Sequence, residues 1–253
     1  MRIQLLGTGG YYPNDKRHTA CYLLAEAGIV LDAGTATYRL PALTRDEHQD
    51  VFLTHAHLDH VFGLTFLLVP ILNQQYRRVT VHGTQQTIDA IQNFLFQDVL
   101  FPVDPPFQCE VIPPTGEMVI RDQYRVRWQP LPSHPGGSTA FRIERFGEGV
   151  APSSFAYVTD TRVDGSYVDF IREVDLLIHE CYFPDDKEGL AELTGHSIAR
   201  DVANVAREAN VGRLIAIHVD PQSNEEDPIG LEGMRATFAN TELAVDQMDV
   251  DIP

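Results

Sequence analysis

Residues 54–60 read Thr54-His55-Ala56-His57-Leu58-Asp59-His60, and no other stretch constrains the chain as strongly. Three imidazoles and a carboxylate fall within six residues, a combination that metal coordination selects and apolar packing does not. The preceding Asp50-Val51-Phe52-Leu53-Thr54 is short and rich in apolar side chains, which predicts a buried strand. Residues 58–72 then predict a helix that Pro70 kinks or ends. The polar cluster thus lies where a strand gives way to a helix. His55 and His57, two apart at the strand end, can face one ion, while Asp59 and His60 in the turn point to a second. Imidazole and carboxylate suit zinc, manganese or iron. Cys21, Cys109 and Cys181 lie outside the motif, which argues against a structural thiolate site.

The pattern resembles the His-x-His-x-Asp-His signature of the metallo-β-lactamase superfamily, and that family's remaining ligands have counterparts here in order. The resemblance implies that His134, after the alternating apolar residues 124–128, is the third histidine of the first metal. It further implies that Asp160, after the strand-like 155–159, bridges both metals, and that His218, after the apolar 213–217, completes the second site. Asp32 matches the family's outer Asp, which orients a ligand histidine through its other ring nitrogen. A turn-forming Asp ahead of Gly34 is an equal reading of the residues alone.

Two further segments resemble the ribonuclease Z branch, which also contains small cyclic phosphodiesterases. Thr194-Gly195-His196-Ser197 is similar to its Gly-His-Ser motif, and His179-Glu180-Cys181 to its His-Glu-Ala motif. Looser matches at residues 6–10, 138–143 and 238–241 extend the likeness over nearly the whole chain. The resemblance implies that His196 is a general acid toward the leaving oxygen and that Glu180 supports it, with His179 packed in its strand. A helix beginning at residue 196 would favour phosphate there; an N-terminal capping segment with an incidental histidine is the alternative. His18, His48 and His82 match no motif position.

The fold expected from the resemblance is α/β, the four-layer αββα metallo-β-lactamase sandwich, with residues 1–253 as one hydrolase domain because ligands run from His55 to His218. Expected outer helices are 58–69, 84–96, 196–209 and 230–238. The expected cofactors are two divalent metal ions, zinc first, with manganese or iron as alternatives. Two such ions about 3.5–4 Å apart supply a hydroxide nucleophile at neutral pH and polarise the electrophile. Asp59 and His196 then carry the catalytic roles, Asp59 accepting a hydrogen bond from that hydroxide or ligating a metal directly and His196 protonating the leaving group. Flavin-linked oxygen reductases of this fold carry Glu at the position of His57, which favours hydrolysis over redox chemistry.

Charge and length address the substrate. The 19 Lys and Arg against 36 Asp and Glu leave a net charge of −17, a poor partner for a polyanion. Ribonuclease Z enzymes that bind transfer RNA carry a protruding arm between the third histidine and the bridging Asp, whereas only 25 residues separate His134 from Asp160. The expected substrate is therefore a small or cyclic phosphodiester. A ribonuclease Z-type tRNA 3′ endonuclease is the alternative, followed by a thioester or lactone hydrolase and a non-catalytic metal-retaining binding protein. No stretch is apolar and long enough to span a bilayer, the N-terminus does not read as a signal peptide, and three cysteines without motif spacing suit a reducing compartment; the cytoplasm is expected. The aromatic segment 95–107 predicts core packing, with a lid or homodimer contact left open.

Overall fold

The computed structural model describes residues 1–44, 47–223 and 225–253. The chain divides into two compact units, each built on one sheet. The first comprises residues 2–114 and 246–250; the second comprises 115–245 with the outermost residues of both termini.

The first unit's sheet has the order β14-β1-β2-β3-β4-β5-β6. These strands are β1 (Arg2–Gly7), β2 (Cys21–Leu24), β3 (Ile29–Leu31), β4 (His48–Phe52), β5 (Arg78–Gly83), β6 (Gln108–Val111) and β14 (Met248–Asp251). The pairs β1–β2 and β2–β3 are antiparallel, after which β3, β4, β5 and β6 run parallel. Every residue of β2 and β3 is buried, as in strands covered on both faces, which accounts for their unbroken apolar runs. Leu23, Val30, Val51 and Val81 form one core with Leu64, Leu67, Ile88 and Ile91 from the helical segments. Phe96 joins this core, its ring edge-on to Phe101 and Phe107 at 4.7 and 5.3 Å, so the phenylalanines of the 95–107 segment pack inward while Val99, Leu100 and Val103 stay exposed.

The second sheet has the order β13-β12-β11-β10-β9-β8-β7. Its strands are β7 (Gly116–Ile120), β8 (Tyr124–Leu131), β9 (Ser138–Arg145), β10 (Ser153–Val158), β11 (Leu176–Glu180), β12 (Leu214–Ile217) and β13 (Thr241–Leu243). The neighbours from β7 to β10 pair antiparallel, and those from β10 to β13 parallel. Both β8 and β10 oppose β9, so β8, β10, β11 and β12 all run the same way and end on the same edge. The helix Ala199–Glu208 lays Val202, Ala203, Val205 and Ala206 on a core that includes Leu177, Leu214 and Ala216. Between β9 and β10 the chain makes only the short connection 146–152, a hairpin with no protruding arm.

Three of the expected helices differ. The 58–69 helix is broken into Leu58–Val61, a 3₁₀ segment Phe62–Leu67 and Leu68–Leu72. Gly63 causes the break: its amide donates out of the helix to the Ala33 carbonyl at 2.7 Å, and a Cβ there would lie 2.1 Å from the Gly34 oxygen. The 84–96 helix is Gln85–Ala90, capped by the Thr84 hydroxyl, continued by a π-helical turn Ile91–Leu95. The 196–209 helix starts later, at Ala199 with Ile198 as its N-cap. The 230–238 helix is Leu231–Thr237. No helix among the described residues is long and apolar enough to cross a membrane.

Candidate metal centre

In the first unit, the parallel pairing of β3 with β4 sets Leu31 beside Phe52, so the residues just after the two strand ends become neighbours. Asp32 takes a left-handed conformation (φ 56) and turns its fully buried carboxylate onto the segment after β4. It accepts from the Thr54 amide at 2.8 Å and the Thr54 hydroxyl at 2.9 Å, and Nδ1 of His60 lies 2.7 Å from its Oδ2. With Nδ1–H donated to Asp32, the Nε2 lone pair of His60 points away as a metal ligand would. His55 is buried beside His60, ring centres 4.4 Å apart, and His57 lies edge-on to His55 at 4.5 Å. The turn carrying Asp59 and His60 is seated on Ala33-Gly34: the Ala33 amide donates to the His60 carbonyl, and a Cβ on Gly34 would lie 2.1 Å from the Asp59 carbonyl oxygen.

In the second unit, the common direction of β8, β10, β11 and β12 brings His134, Asp160, Glu180 and His218 to one sheet edge. Asp160 and His218 both take left-handed conformations (φ 47 and 57) immediately past their strands, a strained geometry that concentrates at functional sites. The two oxygens of Asp160 face different histidines: Oδ1 lies 3.7 Å from Nε2 of His134, and Oδ2 lies 3.4 Å from Nε2 of His218. Asp59 and His60 of the first unit repeat this spacing, with Oδ2 and Nε2 3.3 Å apart. These separations exceed a hydrogen bond. Two donors each 2.0–2.1 Å from one tetrahedral ion sit about 3.4 Å apart, so the contacts have the span of ligands that share a metal. Imidazole nitrogens with carboxylate oxygens, and no cysteine in any such group among the described residues, are a donor set that accepts zinc, manganese or iron.

His196 occupies the link between two helices, not the first turn of one. Gly195 ends the preceding helix Glu188–Thr194 in a left-handed conformation (φ 77), and a Cβ there would meet the Ser133 oxygen and Pro135 Cδ at 2.8 Å and His134 Cα at 2.9 Å. Only glycine permits this approach, which sets the His196 ring 4.8 Å from that of His134. Nδ1 of His196 lies 3.1 Å from Oε2 of Glu180, whose carboxylate is fully buried and also accepts the Thr161 amide at 2.5 Å. Tyr182 stacks on the other side of His196, ring centres 4.6 Å apart and planes within 19°. Asp160, His196 and His218 bring one donor atom each within 4.8 Å of one another. With Asp160 already at ligand spacing from His218, His196 stands beside that pair.

The remaining histidines fall as expected. His179 is a core residue: its Nδ1–H donates to the Glu180 carbonyl, its Nε2 meets the Tyr167 hydroxyl at 2.7 Å, and burial holds its pKa down. His82 pairs with Asp50 at 2.9 Å while stacking on Phe52, and His18 lies against Thr35. Two participants escaped the sequence reading. Tyr182 had no signal beyond following His179-Glu180-Cys181, and the Tyr11 amide, which donates to Oδ2 of Asp59 at 2.9 Å, had none at all.

A profile of the beta-lactamase superfamily domain matches residues 28–219, most of the chain. Ribonuclease Z of Archaeoglobus fulgidus is 24% identical, with 99% of this chain and 97% of that protein covered. Its alignment runs over 298 positions against 253 residues here, so the relative carries segments without a counterpart in this chain. Among solved structures, the metallo-β-lactamase fold protein YhfI from Bacillus subtilis superposes with a TM-score of 0.83 at 20% identity, covering 99% of both chains. Human tRNase Z, short form, gives 0.76 at 22% identity over the whole of both chains. These two establish the expected α/β metallo-β-lactamase fold, and that fold carries divalent metal. The chain belongs to the beta-lactamase superfamily and is similar over nearly its whole length to ribonuclease Z proteins.

Proposed function

We propose that the chain hydrolyses phosphodiesters, with His55, His57, Asp59, His60, His134, Asp160 and His218 holding two divalent metal ions, zinc first. The observation that carries this reading is Asp160, whose two oxygens address two different histidines at ligand spacing. When bound, two such ions would lower the pKa of water and offset charge on the phosphoryl oxygens. The chain's own residues do the rest. Asp32 fixes the tautomer and orientation of His60. Glu180 holds His196 by Nδ1, and in the imidazolium form Nε2–H is the proton that passes to the leaving alkoxide. Tyr182 confines the imidazole plane by stacking.

Cleavage of RNA in the manner of ribonuclease Z is the substrate reading we favour, because the curated relatives that match nearly end to end bear that name. This reverses the order that the net charge and the short span from His134 to Asp160 suggest. A small diester remains the second reading on one specific observation: β9 and β10 are joined by the short 146–152 hairpin, and Arg125 beside them is already paired with Glu144 and Glu117. Metal-replete protein assayed on a transfer-RNA precursor, bis-nitrophenyl phosphate and a 2′,3′-cyclic nucleotide separates the two. Specific 3′ cleavage of the precursor supports the RNA reading; turnover of the small diesters alone supports the second and rejects the first.

A further inference from the structure

The connection between β1 and β2, residues 8–20, is tied down by a carboxylate from the far end of the chain. Asp246, nearly buried, accepts the Thr8 amide and hydroxyl at Oδ1 at 3.0 and 2.9 Å. Its Oδ2 accepts the His18 amide and Nη1 of Arg39, both at 2.8 Å. Thr8 and His18 stand on opposite limbs of the connection, where Gly9 also bridges Thr19 and its amide donates to the His18 carbonyl. Arg39 donates as well to the Leu6 carbonyl in β1. One carboxylate therefore closes the neck of this loop and locks it to the sheet. At its tip Tyr11, in a left-handed conformation (φ 59), directs its amide at Oδ2 of Asp59.

A carboxylate turns about its last side-chain torsion in a broad, shallow well, so a fixed donor on Oδ2 of Asp59 holds in place the same oxygen that stands 3.3 Å from Nε2 of His60. We propose that Asp246 is a positioning residue for the metal ligand Asp59, holding the β1–β2 loop so that the Tyr11 amide fixes the Asp59 carboxylate. This rests on the reading of Asp59 as a ligand. Without Asp246 two amides, a hydroxyl and a guanidinium must find new acceptors, and the neck of the loop opens.

The test is calorimetric zinc titration of metal-stripped protein against a competing chelator, with hydrogen exchange of the Tyr11 amide measured in parallel. Asp246→Asn weakens one of the two zinc-binding steps by about tenfold and Asp246→Ala by up to about a hundredfold, the other step staying as in the wild type. Thr8→Val, which removes one contact to the same carboxylate, moves that step in the same direction by less and serves where the alanine variant does not fold. Tyr11 exchange accelerates in the same order. A carboxylate that merely braced the fold would lower the unfolding temperature and leave zinc affinity and Tyr11 exchange unchanged, which overturns the proposal. Asp59→Asn separates this from the ligand reading. If it abolishes a zinc step that Asp246→Asn and Thr8→Val leave untouched, only the positioning role fails; if it leaves both steps intact, the ligand reading fails and the proposal with it.

Discussion

Nδ1 of His196 lies 3.1 Å from the fully buried carboxylate of Glu180, which anchors the one histidine of the cluster that we leave off the metals. That pairing predicts a leaving-group signature. His196→Ala lowers turnover of a diester with an alkyl leaving group about 10²–10⁴-fold and leaves an activated nitrophenyl diester far less affected. Metal content by plasma emission is unchanged. Equal losses on both substrates would show that His196 does not donate the proton.

Asp160 has the opposite behaviour. Asp160→Ala removes the group that faces both His134 and His218, so at least one metal equivalent is lost and both diesters cease to turn over. Metal analysis after desalting, together with the two assays, checks this.

Asp32 acts one step removed, through His60. Asp32→Asn keeps the volume but reverses part of the hydrogen bonding to Thr54 and His60, and metal affinity falls about 10–100-fold. A chelator competition that returned wild-type affinity would rule out this role.

Burial pushes the Cys21 thiol up to about 12 and holds the Cys181 thiol well above its ordinary value, while Cys109 is half-buried and all three are unpaired with one another. Native protein therefore reacts with Ellman's reagent at no more than one thiol, and at all three in guanidinium.

His179 supplies a pH dependence. Burial holds its folded pKa below the ordinary value of 6.5, so between that value and the folded pKa the unfolded chain binds the extra proton. Its contribution is fully present above pH 6.5 and is lost as pH falls toward the folded pKa. Urea unfolding of metal-free protein at pH 8 and pH 5 shows a drop that His179→Gln reduces.

The ligands were legible because each follows a short apolar strand, and parallel strands deliver what lies past their ends to one edge. The motif at 54–60, Asp160 and His218 all announce themselves this way. Helix boundaries were less legible where tertiary contact overrides local preference. Gly63 abandons its helix to reach Ala33, and Gly195 bends away to meet His134, so His196 sits in a link that residue types alone present as a helix start. Asp246 was silent because its partners lie more than 200 residues away in the chain.

The most direct measurement is anomalous diffraction at the zinc edge from crystals of the protein loaded with zinc. The account predicts two peaks, one beside each oxygen of Asp160, the first ligated by His134 with His55 and His57, the second by His218 with Asp59 and His60. A single peak, or zinc bound away from Asp160, would contradict it.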